Sequence, residues 1–234
     1  MYYYGLDWTY ILVIIGAVIT LAAQAKMKAA FSKYSKVGSS SGMTGAEAAR
    51  RILGANGVFG VSVQQTAGSL TDHYNSSDKT VNLSEDVYDR TDLAAIGVAA
   101  HECGHAIQDY EEYFPLKARN ALVPVANFGA RFSWIVIFAG ILLSGLDFPL
   151  LKIGILLFAL TVLLQLVTLP VEINASERAM RQLTELGIIT DGEAGASRKV
   201  LKAAALTYVA GAAAGILQLL RLILLFGDRG RRRD

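Results

Sequence analysis

Four stretches of the chain lack charged side chains for long enough to suggest that they enter a membrane. They cover residues 8–25, 132–146, 153–171 and 203–220. An α-helix needs about 20 mostly apolar residues to cross the roughly 30 Å hydrocarbon core of a bilayer. The first three stretches therefore predict transmembrane helices, and the second and third form a hairpin around a turn at 147–149. The fourth either spans the membrane or lies in it as a re-entrant or interfacial helix.

The basic residues between these stretches predict on which side of the membrane each polar segment lies. Cytoplasmic segments carry an excess of Lys and Arg close to the ends of the spans. Such residues follow the first stretch and precede the fourth: Lys26, Lys28, Lys33, Lys36, Arg178, Arg181, Arg198, Lys199 and Lys202. This distribution places the N-terminus outside and the segments 28–120 and 172–202 in the cytoplasm.

The polar segment after the first span has the patterns of a small α+β unit. Thr44 and Glu47 have the spacing of a capping box, which predicts that a helix begins there. Residues 61–66 alternate between apolar and polar, as a half-buried strand does. Residues 70–84 contain two short extended pieces separated by turn residues, which predicts a hairpin.

A further helix, predicted at 92–109 with Thr91 as its N-cap, carries the sequence His101-Glu-Cys-Gly-His105, or H-E-x-x-H. Positions i and i+4 lie on the same face of a helix, so the two imidazoles can bind one cation, with Glu102 beside the open coordination position. That arrangement is typical of zinc metalloproteases. We expect Pro115 to end this helical region.

The overall composition agrees with a membrane protein. Hydrophobic residues make up 53% of 234 residues, the mean hydropathy is +0.39 and the net charge is +2. These values favour the lipid bilayer as a partner and argue against nucleic acid; they set no oligomeric state. The basic tail fits a lipid-surface contact and consists of Arg229, Arg231, Arg232 and Arg233. The single cysteine, Cys103, excludes an internal disulfide, and we interpret it as a packing residue.

A catalytic zinc site needs a third protein ligand, for which the sequence offers several candidates. The extended motif H-E-x-x-H-x-x-G-x-x-H is excluded, because Gln108 and Glu111 occupy its last two fixed positions. Glu172 directly follows a membrane-length stretch, where a carboxylate needs a partner. Glu177, about one turn further along, and His73 are the alternatives. We favour Glu172.

Several motifs resemble the neutral zinc metallopeptidases of bacterial membranes, the YugP type. They are TGAEAARRIL at 44–53, LTDHY at 70–74, AAHECGHAIQ at 99–108 and PVEINAS at 170–176. The resemblance covers most of the chain and extends more distantly to the HtpX-type and CAAX-prenyl-protease-type membrane gluzincins. It implies a multi-pass protein of the bacterial cell membrane with zinc-dependent proteolytic activity.

The distant relatives carry their third zinc ligand as the Glu of an E-x-x-A-D motif. Glu172-x-x-Ala175 matches this motif, but Ser176 stands where the motif has Asp. In those proteases the Asp supports a zinc-binding histidine. The resemblance therefore implies that Asn174 or Ser176 supplies this support here.

Together these observations predict a mainly α-helical integral membrane protein, with about four membrane-associated helices and a small α+β zincin-like catalytic domain in the cytoplasm. The expected segments are an anchor at 1–27, a catalytic segment at 28–120, a transmembrane hairpin at 121–171, a third-ligand segment at 172–202 and a membrane helix with basic tail at 203–234.

The predicted activity is hydrolysis of peptide bonds in membrane proteins or peptides at the cytoplasmic face. The site residues are the Zn²⁺ ligands His101, His105 and Glu172, the general base Glu102, and the oxyanion donor candidates His73, Tyr74 and Arg178. A non-catalytic membrane scaffold or chaperone-like factor with a structural zinc is the alternative. Structural zinc usually has four protein ligands; three ligands and a well-placed base favour the enzyme.

Overall fold

The computed structural model describes residues 7–143 and 149–226. In these residues the chain forms six helices and one three-stranded sheet, so the protein is mainly helical, as predicted. The elements are α1 (Tyr10–Tyr34), α2 (Gly45–Ala55), β1 (Ser62–Thr66), β2 (His73–Asn75), β3 (Thr80–Ser84), α3 (Leu93–Tyr110), α4 (Phe114–Leu142), α5 (Leu150–Glu185) and α6 (Asp191–Phe226). Four of them, α1, α4, α5 and α6, are long and apolar enough to cross a membrane.

The described residues form two compact units. The first unit comprises the described parts of 1–23, 118–168 and 208–234 and contains segments of all four long helices. In the apolar window of each helix, between 11% and 28% of the residues are buried within the protein. Most residues in these windows are therefore at least partly exposed on the protein surface, as expected for helices that lipid surrounds.

Helices α4 and α5 form the predicted antiparallel hairpin. A Cβ atom added to Gly129 would lie 2.5 Å from the Leu157 carbonyl oxygen, and one added to Gly154 would lie 2.5 Å from Ile137 Cγ1. Small residues allow such close backbone contact between membrane helices. The prediction for Pro115 was wrong, because this residue stands in the first turn of α4, where its fixed φ and missing N–H cost nothing. Residues 147 and 148 of the predicted turn lie outside the described residues.

The last helix runs antiparallel to the first within this unit. Gly16 of α1 faces Ala214 of α6, with 3.2 Å between an added Cβ and the alanine side chain. About two turns beyond Ala214 on α6, the Arg221 guanidinium lies 3.5 Å from the carboxylate of Asp7, which precedes α1, and 4.1 Å from the centre of the Tyr10 ring. The C-terminal end of α6 is therefore beside the N-terminal end of α1.

The second unit comprises residues 24–117 and 169–207. Its sheet has the order β1-β3-β2, in which β1 is parallel and β2 antiparallel to β3. The pairing of β2 with β3 confirms the predicted hairpin. The capping box of α2 is also present, since Thr44 accepts a hydrogen bond from the Glu47 amide and the Glu47 carboxylate accepts one from the Thr44 amide. The core of this unit lies between α2, the sheet, α3 and the parts of α5 and α6 that belong to the unit.

Helix α3 begins one residue later than predicted. Asp92, not Thr91, is the N-cap, because the Asp92 Oδ1 atom accepts a hydrogen bond of 2.9 Å from the Ala95 amide. Cys103 is fully buried in the core of the unit, and its thiol contacts the Ala49 carbonyl oxygen at 3.5 Å. Burial also raises the pKa of this thiol, which agrees with a packing role.

Candidate metal centre

Two histidines and one glutamate converge in the second unit. Ligand atoms of His101, His105 and Glu172 all lie within 4.8 Å of one another. The Nε2 atoms of His101 and His105 are 3.2 Å and 3.6 Å from the same carboxylate oxygen of Glu172. Among the described residues, this is the one such group of three or more His, Cys, Asp or Glu side chains. Neither Glu177 nor His73 belongs to it.

The convergence depends on two helices. His101 and His105 are one turn apart on α3, and their rings meet edge to face with centroids 4.8 Å apart. Helix α5 supplies Glu172 and passes very close to α3 at Gly104, where an added Cβ would lie only 2.5 Å from the Ala175 carbonyl oxygen. A glycine between the two histidines thus allows the backbone of α5 to approach the face of α3 that carries both imidazoles.

The donor set fits a zinc ion. Two imidazole nitrogens and one carboxylate oxygen are a known ligand combination of catalytic zinc. Glu172 is only 2% exposed, and a buried carboxylate is costly unless a cation or several donors compensate for its charge. Burial lowers the pKa of His105, but the nearby Glu172 carboxylate and the charge of Glu102 outweigh burial and raise the pKa above its ordinary value. The site therefore favours positive charge.

Glu102 lies next to the first ligand and is 8% exposed. Its charge also acts on Asp72, which directly precedes β2. Burial, followed by the repulsion from Glu102, raises the pKa of Asp72 against the effect of hydrogen bonds from Ser84. Asp72 accepts these bonds from the Ser84 amide at 2.7 Å and from the Ser84 hydroxyl at 3.0 Å. The charge of the general-base candidate therefore reaches the residue that precedes β2.

Each histidine of the group has a polar neighbour on its other ring nitrogen. Ser176 Oγ lies 3.2 Å from Nδ1 of His101, and Gln108 Oε1 lies 3.0 Å from Nδ1 of His105. Asn174 forms no hydrogen bond with either histidine but accepts one of 2.9 Å from the Gln108 amide. Sequence reasoning named Ser176 and Asn174 and missed the supporting position of Gln108. The signal was its i+3 spacing from His105, which puts both on one helix face.

The three oxyanion candidates have other contacts in the structure. His73 is exposed on β2, and its Nδ1 atom lies 2.8 Å from the Thr71 carbonyl oxygen. The Tyr74 hydroxyl donates a hydrogen bond of 2.6 Å to Asp109; burial and this carboxylate raise the pKa of Tyr74.

Arg178 also forms contacts with other side chains. Its Nε atom donates to Asn174 Oδ1 at 2.7 Å, and its guanidinium forms an ion pair of 2.7 Å with Glu111 and lies 5.8 Å from the centre of the Tyr113 ring. Tyr74 and Arg178 therefore hold parts of the second unit together, whereas the outer side of His73 faces solvent.

The chain matches known proteins over nearly its whole length. A family model described as "Putative neutral zinc metallopeptidase" matches residues 9–227. A protein of Bacillus subtilis (strain 168), described as "Putative membrane protease YugP", is 48% identical over 204 residues, which are 87% of this chain and 90% of that protein. No solved structure matches the chain. Since the family match includes the four apolar helices and the convergent His, His and Glu side chains, the chain belongs to this membrane family of neutral zinc metallopeptidases.

Proposed function

We propose that the protein is a zinc-dependent endopeptidase that cleaves membrane proteins or membrane-associated peptides. The observation that carries this proposal is the convergence of His101, His105 and Glu172 beside Glu102. Three protein ligands leave a fourth coordination position for water or substrate, whereas a structural zinc is usually closed by four ligands. The donor count therefore favours catalysis over a scaffold role.

The residues divide the chemistry between them. Zinc bound by the three ligands would acidify a water molecule and polarise the scissile carbonyl group. Glu102 accepts the proton as the water oxygen bonds to the carbonyl carbon. It then delivers that proton to the amide nitrogen as the carbon–nitrogen bond breaks, which completes hydrolysis without a net change at the carboxylate.

The substrate chain would bind along β2. This strand is at one edge of the sheet and pairs only with β3 among the described strands. An extended peptide can add to such an edge through backbone hydrogen bonds. His73 is exposed on β2, so we favour it as the donor to the developing oxyanion. Tyr74 and Arg178 would first have to release Asp109 and Asn174, respectively.

We infer that the site acts at the cytoplasmic face. The segment after α1 carries Lys26, Lys28, Lys33 and Lys36, and the positive-inside rule places such a segment in the cytoplasm. The antiparallel packing of α1 and α6 supports a fourth span, with both ends of the chain on the outer side. This arrangement puts the basic tail outside, against the general trend.

The decisive experiment compares two variants of the full chain in detergent or nanodiscs. Glu102→Gln should keep zinc bound and abolish cleavage of a membrane-protein substrate, because an amide cannot accept the proton. Cleavage at the wild-type rate would refute the assignment of Glu102. Zinc binding without any cleavage by the wild-type protein across a set of membrane substrates would instead favour the scaffold.

A matched pair tests the third ligand. Glu172→Ala should lose zinc, because two imidazoles alone hold the ion weakly. Glu177→Ala removes the same side chain less than two turns further along α5 and should keep zinc. Metal content of the purified proteins, measured by mass spectrometry, distinguishes them. Equal zinc in the two variants would contradict the choice of Glu172.

A further inference from the structure

Gln108 is a fully buried polar side chain whose contacts are all made with or beside the metal ligands. It is 0% exposed. Its Oε1 atom lies 3.0 Å from Nδ1 of His105, and its Nε2 atom donates hydrogen bonds of 2.9 Å to the Val171 carbonyl oxygen and to Asn174 Oδ1. The amide thus uses both its oxygen and its nitrogen.

The partners on the nitrogen side determine which way this amide points. The Val171 carbonyl oxygen can only accept a hydrogen bond, so it needs the NH₂ group of Gln108. Asn174 presents its oxygen at the same place, because Arg178 donates to it from Nε at 2.7 Å and a guanidinium has no acceptor. A flipped Gln108 would set its oxygen against two acceptors. The oxygen of Gln108 must therefore face His105.

This orientation also determines which nitrogen of His105 carries hydrogen. An amide oxygen only accepts, so Nδ1 of His105, 3.0 Å from Gln108, carries the hydrogen of the neutral imidazole. The Glu172 carboxylate, 3.6 Å from Nε2, is beyond hydrogen-bond distance, so Nε2 keeps the lone pair. The Nε2 atom is the one that faces Glu172, at 3.6 Å. The hydrogen-bond chain from Arg178 through Asn174 and Gln108 thus prepares Nε2 of His105 to bind a cation.

We propose that Gln108 is a positioning residue that fixes the tautomer and ring orientation of His105 for zinc binding. The proposal rests on the ligand set given under Proposed function. Outer hydrogen bonds of this kind fix the ring and raise the basicity of a ligating histidine, and their loss typically costs 10–100-fold in metal affinity.

The two histidines differ in this respect. His101 has Ser176 at 3.2 Å from its Nδ1, and a hydroxyl can donate or accept by rotating. Ser176 therefore supports the His101 ring without selecting a tautomer. Of the two histidines, only His105 has a neighbour that selects one tautomer. His101 therefore serves as a comparison within the same protein.

Arg178, at the end of this hydrogen-bond chain that is farthest from His105, is itself held in place by further contacts. The Arg178 guanidinium forms an ion pair of 2.7 Å with Glu111 and lies over the Tyr113 ring, both just beyond the C-terminal end of α3. Asn174 and Arg178 are one turn apart on α5. The network therefore ties the end of α3 to α5 on the side of the site that carries His105.

The test begins with the metal-free wild-type protein, labelled with ¹⁵N in its histidines. The chain has three histidines, so single substitutions assign each ring signal. At a pH where the rings are neutral, the nitrogen shifts of His105 should report hydrogen on Nδ1 and a lone pair on Nε2. A His105 signal with hydrogen on Nε2, or averaged between tautomers, would overturn the proposal without any variant.

The second step measures tautomer and zinc affinity in three variants. Gln108→Leu should give averaged His105 shifts and bind zinc roughly 10–100-fold more weakly. Asn174→Asp keeps an acceptor for both Gln108 and Arg178 and should keep the Nδ1–H form. Cys103→Ala is the packing control. It creates a space in the hydrophobic core beside α3, the helix that also carries Gln108, and should lower stability without changing the His105 signal.

The outcomes separate this proposal from the proposed activity. Wild-type zinc affinity and an unchanged His105 signal in Gln108→Leu would overturn the role of Gln108 and leave proteolysis intact. If Gln108→Leu does not fold, Gln108→Met replaces it, and the wild-type signal still decides. A protein that binds zinc with the Nδ1–H form but cleaves nothing would refute the activity and keep the positioning role.

Discussion

The contact between α3 and α5 predicts that Gly104→Ala will damage the metal site. The new Cβ atom would lie 2.5 Å from the Ala175 carbonyl oxygen and 3.1 Å from its carbonyl carbon and Cα atoms. Real Cβ contacts essentially never fall below 3.0 Å, so the two backbones must separate locally by at least about 0.5 Å. Metal–ligand distances tolerate changes of only about 0.2 Å.

The expected loss of zinc affinity in Gly104→Ala follows from the free energy needed to bring α3 and α5 back together. His101 and His105 lie on α3 and Glu172 lies on α5, so the ligands separate when the helices do. Overpacking of this kind costs about 1–3 kcal/mol. If binding must restore the original spacing, that cost appears as a roughly 5- to 140-fold loss of zinc affinity, since 1.4 kcal/mol corresponds to a factor of ten.

The assay is competition for zinc against a chromophoric chelator, with thermal unfolding recorded in parallel. Gly97→Ala, on the same helix, is the matched control, because its Cβ would lie 3.8 Å from Ser197 Cβ, an ordinary contact. Alanine there should leave zinc affinity unchanged and raise helix stability by up to about 1 kcal/mol. If Gly104→Ala bound zinc as tightly as the wild type, or if both variants lost it equally, the close contact would not position the ligands.

Three further predictions concern the surroundings of the site and the membrane helices. The pKa of Asp72 is raised in the folded state, so its contribution to stability is present at low pH and is lost as pH rises through that raised value. In Asp72→Asn, the free energy of unfolding, measured from denaturation curves at several pH values, should no longer show this loss. Tyr74→Phe should lower the free energy of unfolding by about 1 kcal/mol, because Asp109 loses a hydrogen bond, while zinc binding stays unchanged. A thiol introduced at Trp8 in a Cys103→Ala background and a C-terminal tag should be accessible from the same side of the membrane.

Each of these predictions has an outcome that would contradict it. An unchanged pH dependence in Asp72→Asn would mean that another group causes the loss. Normal stability with lost cleavage in Tyr74→Phe would identify this tyrosine as the oxyanion donor instead of a structural link. Access to the Trp8 thiol and to the tag from opposite sides would mean that α6 does not span antiparallel to α1.

Local patterns predicted the elements well and their exact limits less well. Thr91 and Asp92 are both good N-cap residues, and the outcome depended on which side-chain oxygen reaches the Ala95 amide. Arg90 also binds the other oxygen of Asp92 at 3.2 Å. Pro115 was assigned to a helix end because proline interrupts helices, yet the same property suits it to the first turn of α4. Where neighbouring residues are both suitable for a helix end, the sequence does not specify the exact end, and the packing of the folded chain decides it.

The fourth apolar stretch shows a different kind of limit. Its length and composition allowed a span, a re-entrant helix or an interfacial helix, because hydropathy does not specify a partner. The structure pairs α6 with α1 through Gly16 and Ala214 and through Arg221 and Asp7. These contacts join opposite ends of the chain, so no local pattern could have predicted them.

The sequence by itself determined the zinc-binding character of α3 and the membrane character of the chain. Both follow from local geometry, since 3.6 residues per turn bring His101 and His105 to one face and 1.5 Å per residue relates helix length to bilayer thickness. Only the tertiary structure decided that Glu172, 71 residues after His101, completes the group and that Gln108 supports it. Those contacts depend on how closely α5 approaches α3 at Gly104, which is a property of packing between distant segments.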